Sequence, residues 1–72
     1  MKIKFVNPCK YKITYYRVDN GESPLELIEN FNVDDQIDIY MILEDHPNCI
    51  DITYNNGIIA LFGLKKSDFI CV

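Results

Sequence analysis

The stretch from Gln36 to Gly63 limits this chain to a small set of folds. It reads QIDIYMILED, HPNC, IDITY, NNG and IIALFG. Polar and apolar residues alternate along both halves, and a period of two is the mark of a strand with one buried face. Asn56-Gly57 divides the second half. An Asn-Gly pair between two β-forming runs predicts a hairpin with a type I′ turn, because both central residues must take positive φ. Such a turn fixes a register. Asn55 faces Ile58, Tyr54 faces Ile59, Thr53 faces Ala60, Ile52 faces Leu61, Asp51 faces Phe62 and Ile50 faces Gly63. Directly opposed residues share a face. Ile50, Ile52, Tyr54, Ile59 and Leu61 therefore make one apolar face. Asp51, Thr53, Asn55, Ile58, Ala60 and Phe62 make a mixed one.

Gln36 to Glu44 alternates in the same way. Ile37, Ile39, Met41 and Leu43 are expected to point to the core, and Asp38, Tyr40, Ile42 and Glu44 away from it. His46-Pro47-Asn48 connects this strand to the hairpin, and Pro47 keeps the connection out of the ladder. The three strands read as a meander.

The flanks supply shorter elements. Lys2 to Val6 reads as a strand broken by Asn7-Pro8. Tyr11 to Val18 reads as a second strand, with Tyr11, Ile13 and Tyr15 on one face and Lys12, Thr14 and Tyr16 on the other. Asp19-Asn20-Gly21 is a turn cluster. Ser23-Pro24-Leu25-Glu26 has the composition of a capping box with proline at the first helical position. It predicts a short helix carrying Leu25, Leu27, Ile28 and Phe31 on its apolar side. The alternative is an extended segment, with Leu25, Leu27 and Glu29 set against Glu26 and Ile28. Asn32 to Asp35 is a turn, Lys65 to Asp68 a polar link with room for one 3₁₀ turn, and Phe69 to Val72 a closing strand.

With these elements in order, the chain resembles a small SH3-like barrel. The likeness rests on F-x-V-D-D-Q-I-D-I at Phe31 to Ile39, the hairpin after it, and Asp68-Phe69-Ile70 at the end. It also resembles short proteins of unknown role from bacteriophages and mobile elements of low-GC bacteria. The resemblance implies a mainly β (α+β) domain over residues 1–72. Such a domain has five to six strands, one short helix, a 3₁₀ turn before the last strand, and that strand paired with the first. Asp34 stands where the pattern prefers glycine. The resemblance carries no catalytic or binding residues across.

A chain of 72 residues makes one domain, with a core worth only a few kcal/mol net and little room for a deep cleft. Lys4, Asn7, Pro8 and Lys10 interrupt any apolar core of a signal peptide, and no apolar run approaches a membrane span. The cysteines, Cys9, Cys49 and Cys71, are odd in number and irregularly spaced, which points to free thiols and a reducing, cytoplasmic setting.

Charge is segregated along the chain. Net charge is −4, yet every Lys and Arg lies within Met1 to Arg17 or at Lys65 and Lys66. Between Val18 and Leu64 stand Asp19, Glu22, Glu26, Glu29, Asp34, Asp35, Asp38, Glu44, Asp45 and Asp51 with no base among them. Crowded like charges oppose compaction, so the pattern suggests an acidic surface that docks on a basic protein partner. Asp38, Tyr40, Ile42, Asp51, Ile58 and Phe62 are the expected centre of that surface. A phage-type inhibitor of a host or defence factor, mimicking nucleic acid, is one form of this reading. Two other readings are a nucleic-acid-binding barrel using Lys2, Lys4, Lys10, Lys12 and Arg17 with Tyr15 and Tyr16 for stacking, and self-assembly through an apolar face or strand edge.

Metal and catalytic signals are thin. Cys9, His46, Cys49 and Cys71 sum to a Cys₃His set, but a structural zinc site shows two paired ligand turns, and Cys71 sits in an apolar run. Asp34, Asp35 and Asp38 lack the ligand ladder and glycine of a calcium loop. His46 and Cys49 are the one base–thiol pair, with nothing to orient the imidazole. No phosphate loop or nucleophile elbow occurs. A non-enzymatic protein without metal or cofactor is expected.

Overall fold

A computed structural model describes residues 1–16 and 23–72. Seven strands occur among them: β1 (Lys2–Phe5), β2 (Cys9–Tyr15), β3 (Leu25–Phe31), β4 (Gln36–Asp45), β5 (Cys49–Tyr54), β6 (Ile59–Lys65) and β7 (Phe69–Cys71). A 3₁₀ turn, Lys66–Asp68, precedes β7. The strands form one open antiparallel sheet in the order β3-β2-β6-β5-β4-β1-β7. The turn cluster at Asp19 to Gly21 lies outside the described residues.

The hairpin forms at Asn56-Gly57, but as a four-residue turn from Asn55 to Ile58 rather than a two-residue one: Asn55 also takes positive φ, 53°, and the Gly57 N–H donates to the Tyr54 carbonyl at 3.2 Å. Asn56 and Gly57 have φ of 58° and 87°, and the Ile58 N–H donates to the Asn55 carbonyl at 3.3 Å. Tyr54, Thr53 and Ile52 face Ile59, Ala60 and Leu61. The register then slips: Ile50 faces Leu64, not Gly63. Asp51 thus opposes both Phe62 and Gly63, a β-bulge. Gly63 supplies the positive φ, 76°, that a bulge of the glycine type needs.

Two further bulges correct the reading of β4. Its pairing with β5 runs Ile39–Tyr54, Met41–Thr53, Ile42–Ile52 and Glu44–Asp51, with slips after Ile39 and after Ile42. Each extra residue reverses the alternation beyond it. Ile39 is buried and Ile37 half-buried, but Met41 and Leu43 are exposed rather than core. Ile42 moves to the side of Ile52, away from the face shared with Asp38 and Tyr40.

The segment expected as a helix is β3, and the described residues hold one strand more than the upper expectation of six. The extended alternative is the one realised. Two turns of isolated helix are marginal in water. Pairing with β2 instead gives a continuous ladder from Tyr15–Leu25 to Cys9–Phe31. Glu26 does not cap a helix; it lies 2.9 Å from the Lys12 ammonium. The ladder also delivers Phe31 onto Phe5, with ring centroids 4.2 Å apart and nearly parallel.

The core is Ile3, Phe5, Ile13, Phe31, Ile39, Ile50, Ile52, Tyr54, Leu61 and Leu64. Side chains then tie distant parts of the sheet together. The Tyr11 hydroxyl donates to Asp68 and accepts the Lys65 N–H, while Asn7 Nδ2 donates to the Ser67 carbonyl and Asp68 Oδ1. The start of β2 is thereby held against the 3₁₀ turn.

The Asn32 to Asp35 turn closes on itself, with Asp35 N–H donating to the Asn32 carbonyl at 3.0 Å. Asp34 has φ of 74°, the conformation that favours glycine at the third position of such a turn.

Candidate functional site

β1 pairs with β4 only from Gln36 to Asp38, plus one bond from Ile39 N–H to the Met1 carbonyl. From Tyr40 to Asp45 the strand therefore has β5 on one side and, among the described residues, no strand paired on the other. Tyr40, Met41, Ile42 and Leu43 are 62%, 53%, 44% and 47% exposed. Four large apolar residues in succession stand in solvent because the bulges turn some outward and the missing neighbour leaves the rest uncovered. Tyr40 lies over the hairpin turn, where a Cβ on Gly57 would come within 3.2 Å of its ring. Ile42 lines an apolar groove of about 350 Å³ with Ile50, Phe69 and Ile70.

The other residues expected at the docking centre are spread around this strip. Phe62 is 55% exposed, on the outer side of β6 opposite Asp51. Ile58 is half-buried in the turn. Asp51 is half-buried and engaged: its Oδ1 accepts the Gly63 N–H at 2.8 Å and its Oδ2 lies 3.2 Å from His46 Nε2. The Gly63 amide, and then the His46 contact, hold the Asp51 carboxyl below its ordinary range. It is a structural anion more than a free surface charge. Asp38 is exposed, 3.6 Å from the Met1 amino group.

The charge segregation seen along the chain is partly offset by folding. Lys4 reaches Asp34 at 3.8 Å, Lys12 reaches Glu26, and Lys66 reaches Asp45 at 2.7 Å. β1 crosses beside β4, β2 lies beside β3, and the 3₁₀ turn lies beside the end of β4. The basic ends of the chain are laid over its acidic middle. These are surface pairs, each worth about 0–1 kcal/mol, but they blunt the negative field that the sequence suggests.

The cysteines do not gather. Cys9 and Cys49 are half-buried, Cys71 is exposed, and all three are free. Burial, aided by the charge of Asp68, pushes the Cys9 thiol up. Among the described residues, the donor atoms that do converge belong to Glu44, His46 and Asp51. Sequence reasoning missed this trio because Glu44 and Asp51 meet only through the bulged register. Among the described residues no helix is long and apolar enough to cross a membrane.

No protein family, curated protein or solved structure matches this chain.

Proposed function

We propose that this chain is a non-enzymatic binding module that docks through the free half of β4 onto a protein partner with an apolar seat and a basic rim. The observation that carries this reading is the run Tyr40, Met41, Ile42 and Leu43, exposed together on a strand edge that is unpaired among the described residues. A small domain that leaves such an edge uncovered leaves a template for another chain, and strand addition uses it through backbone hydrogen bonds and alternate side-chain pockets. Asp38 precedes the strip and Glu44 and Asp45 follow it. These acids fit a partner whose basic residues border the apolar contact.

The same acids disfavour a second copy. Antiparallel self-pairing centred between Met41 and Ile42 would set Asp38 against Asp45, and like charges directly opposed are destabilising. Nucleic-acid mimicry receives less support, because Asp34, Asp38, Asp45 and Glu26 each have a cation within 4.0 Å. An SH3-like barrel is the fold reading that accompanies this proposal. It is supported by the pairing of β7 with β1, the 3₁₀ turn before β7 and the positive φ of Asp34.

The test is affinity capture from the native extract with three baits: the wild-type chain, Tyr40→Ser/Leu43→Ser, and Asp38→Lys/Glu44→Lys. A partner lost by both variants, with unchanged circular dichroism, is the expected result. Equal capture by all three overturns the placement. A wild-type dimer in light scattering that the serine variant abolishes shifts the reading to self-assembly.

A further inference from the structure

Two carboxylates and one imidazole converge where β4 turns into β5. Glu44 is directly opposite Asp51 in the ladder, and His46 follows in the connection. His46 Nε2 lies 3.2 Å from Asp51 Oδ2 and 3.7 Å from Glu44 Oε2. All three donor atoms lie within 4.8 Å of one another. We propose that Glu44, His46 and Asp51 form a binding site for a divalent transition-metal ion of the zinc type.

The spacing suits such an ion. Zinc bonds nitrogen and carboxylate oxygen at roughly 2.0–2.2 Å in tetrahedral geometry, which sets neighbouring donors about 3.3–3.6 Å apart. The two separations from His46, 3.2 and 3.7 Å, sit close to that range, and the two carboxylate oxygens, which lie within 4.8 Å of each other, would close on the ion by side-chain rotation. The donor chemistry is selective as well. Imidazole suits zinc, cobalt and nickel better than magnesium or calcium, and the absence of sulfur in the set disfavours copper(I). Three protein donors leave one position for water or a partner's side chain.

Charge balance fits the same site, although Glu29 and Asp35 also have no ammonium group within 4.0 Å among the described residues. Asp34, Asp38, Asp45 and Glu26 each have an ammonium group within 4.0 Å. Among the described residues, Glu44 and Asp51 have only His46 in that range. One Nε2 hydrogen can serve one carboxylate, and the nearer is Asp51. A divalent ion satisfies both carboxylates at once. Binding uses the Nε2 lone pair, so the proton there moves to Nδ1 or is released to solvent.

The scaffold holds the donors in place. Asp51 Oδ1 is fixed by the Gly63 amide, which leaves Oδ2 turned to His46. The His46 backbone N–H donates to the Cys49 carbonyl at 2.9 Å, which fixes the connection. Outer hydrogen bonds of this kind orient ligands and raise affinity.

The experiment is calorimetric titration of zinc chloride alone into the full chain carrying Cys9→Ser, Cys49→Ser and Cys71→Ser, so that thiols cannot take the ion. One zinc per chain is expected, with ¹⁵N shift changes centred on residues 44–51. His46→Gln and Glu44→Gln, added singly, should each weaken binding at least about tenfold, the loss typical of even an outer-shell partner. No response at millimolar zinc, or unchanged binding in His46→Gln, overturns the site. If the serine variant fails to fold, ¹¹³Cd resonance on the wild-type chain replaces it. A shift typical of nitrogen and oxygen ligands is expected there, and a thiolate shift overturns the proposal.

Discussion

The Asp51 carboxylate accepts the Gly63 backbone N–H at 2.8 Å across a bulge in the β5–β6 ladder. One side chain thus satisfies an amide that the slipped register leaves without a strand partner. The bulge depends on Gly63 for its backbone alone, since a Cβ there would meet nothing within 4 Å. Gly63→Ala should therefore cost about 1–2 kcal/mol, the penalty of an L-residue in the left-handed region. A lower urea midpoint with an unchanged m-value checks this.

Asp34 gives the opposite case. It holds φ of 74° with an exposed side chain whose one ion pair, to Lys4, is long. Asp34→Gly should leave stability unchanged or raise it by up to about 1 kcal/mol. Asp34→Val should lower it, since a branched side chain is poorly tolerated there. Thermal melts of both variants separate the two outcomes.

Phe31 is the anchor that keeps β3 a strand. It is buried against Phe5 at the end of an otherwise exposed element. Phe31→Ala should cost about 3–5 kcal/mol, most of what so small a core supplies. Its circular dichroism should show a largely unfolded population at room temperature, while Phe31→Leu should remain folded with a lower midpoint.

Tyr11 and Tyr54 should ionise late. Burial, and then the hydrogen bond to Asp68, push Tyr11 up to about 12; burial, and then the charge of Glu29, do the same to Tyr54. Both are groups whose neutral form the fold favours. Their contribution is whole below pH 10 and is lost as pH rises through about 12. Absorbance at 295 nm should show two late-ionising tyrosines, and Tyr11→Phe should remove one of them.

The strip on β4 should be neutral for folding. Met41 and Leu43 are about half exposed, so Met41→Ser and Leu43→Ser should each change unfolding free energy by no more than about 0.5 kcal/mol. Chemical denaturation checks this. A loss well above that figure would assign the strip to the core rather than to docking.

The turn residues made much of the fold legible. Asn56-Gly57 encodes the place of the turn locally, and although the turn takes in Asn55 and Ile58 as well, the register holds for three pairs beyond it. The apolar face of Ile50, Ile52, Tyr54 and Leu61 is buried as alternation requires. Ser23-Pro24-Leu25-Glu26 was equally local and misleading, because seven backbone pairings with β2 outweigh one cap. The site was less legible. Tyr40 and Phe62 are exposed as their positions suggested, but Ile42 turned away and Asp51 became tied to Gly63.

By itself, the sequence determined the strands other than β3, the place of the hairpin turn and the core outside the bulged half of β4, since alternation and positive φ are properties of neighbouring residues. Tertiary structure alone decided where bulges fall, which half of β4 lacks a neighbour, and which lysine meets which carboxylate. Those outcomes depend on contacts between residues far apart in the chain, such as Lys66 with Asp45 and Phe31 with Phe5. No local pattern records the order in which strands lie side by side.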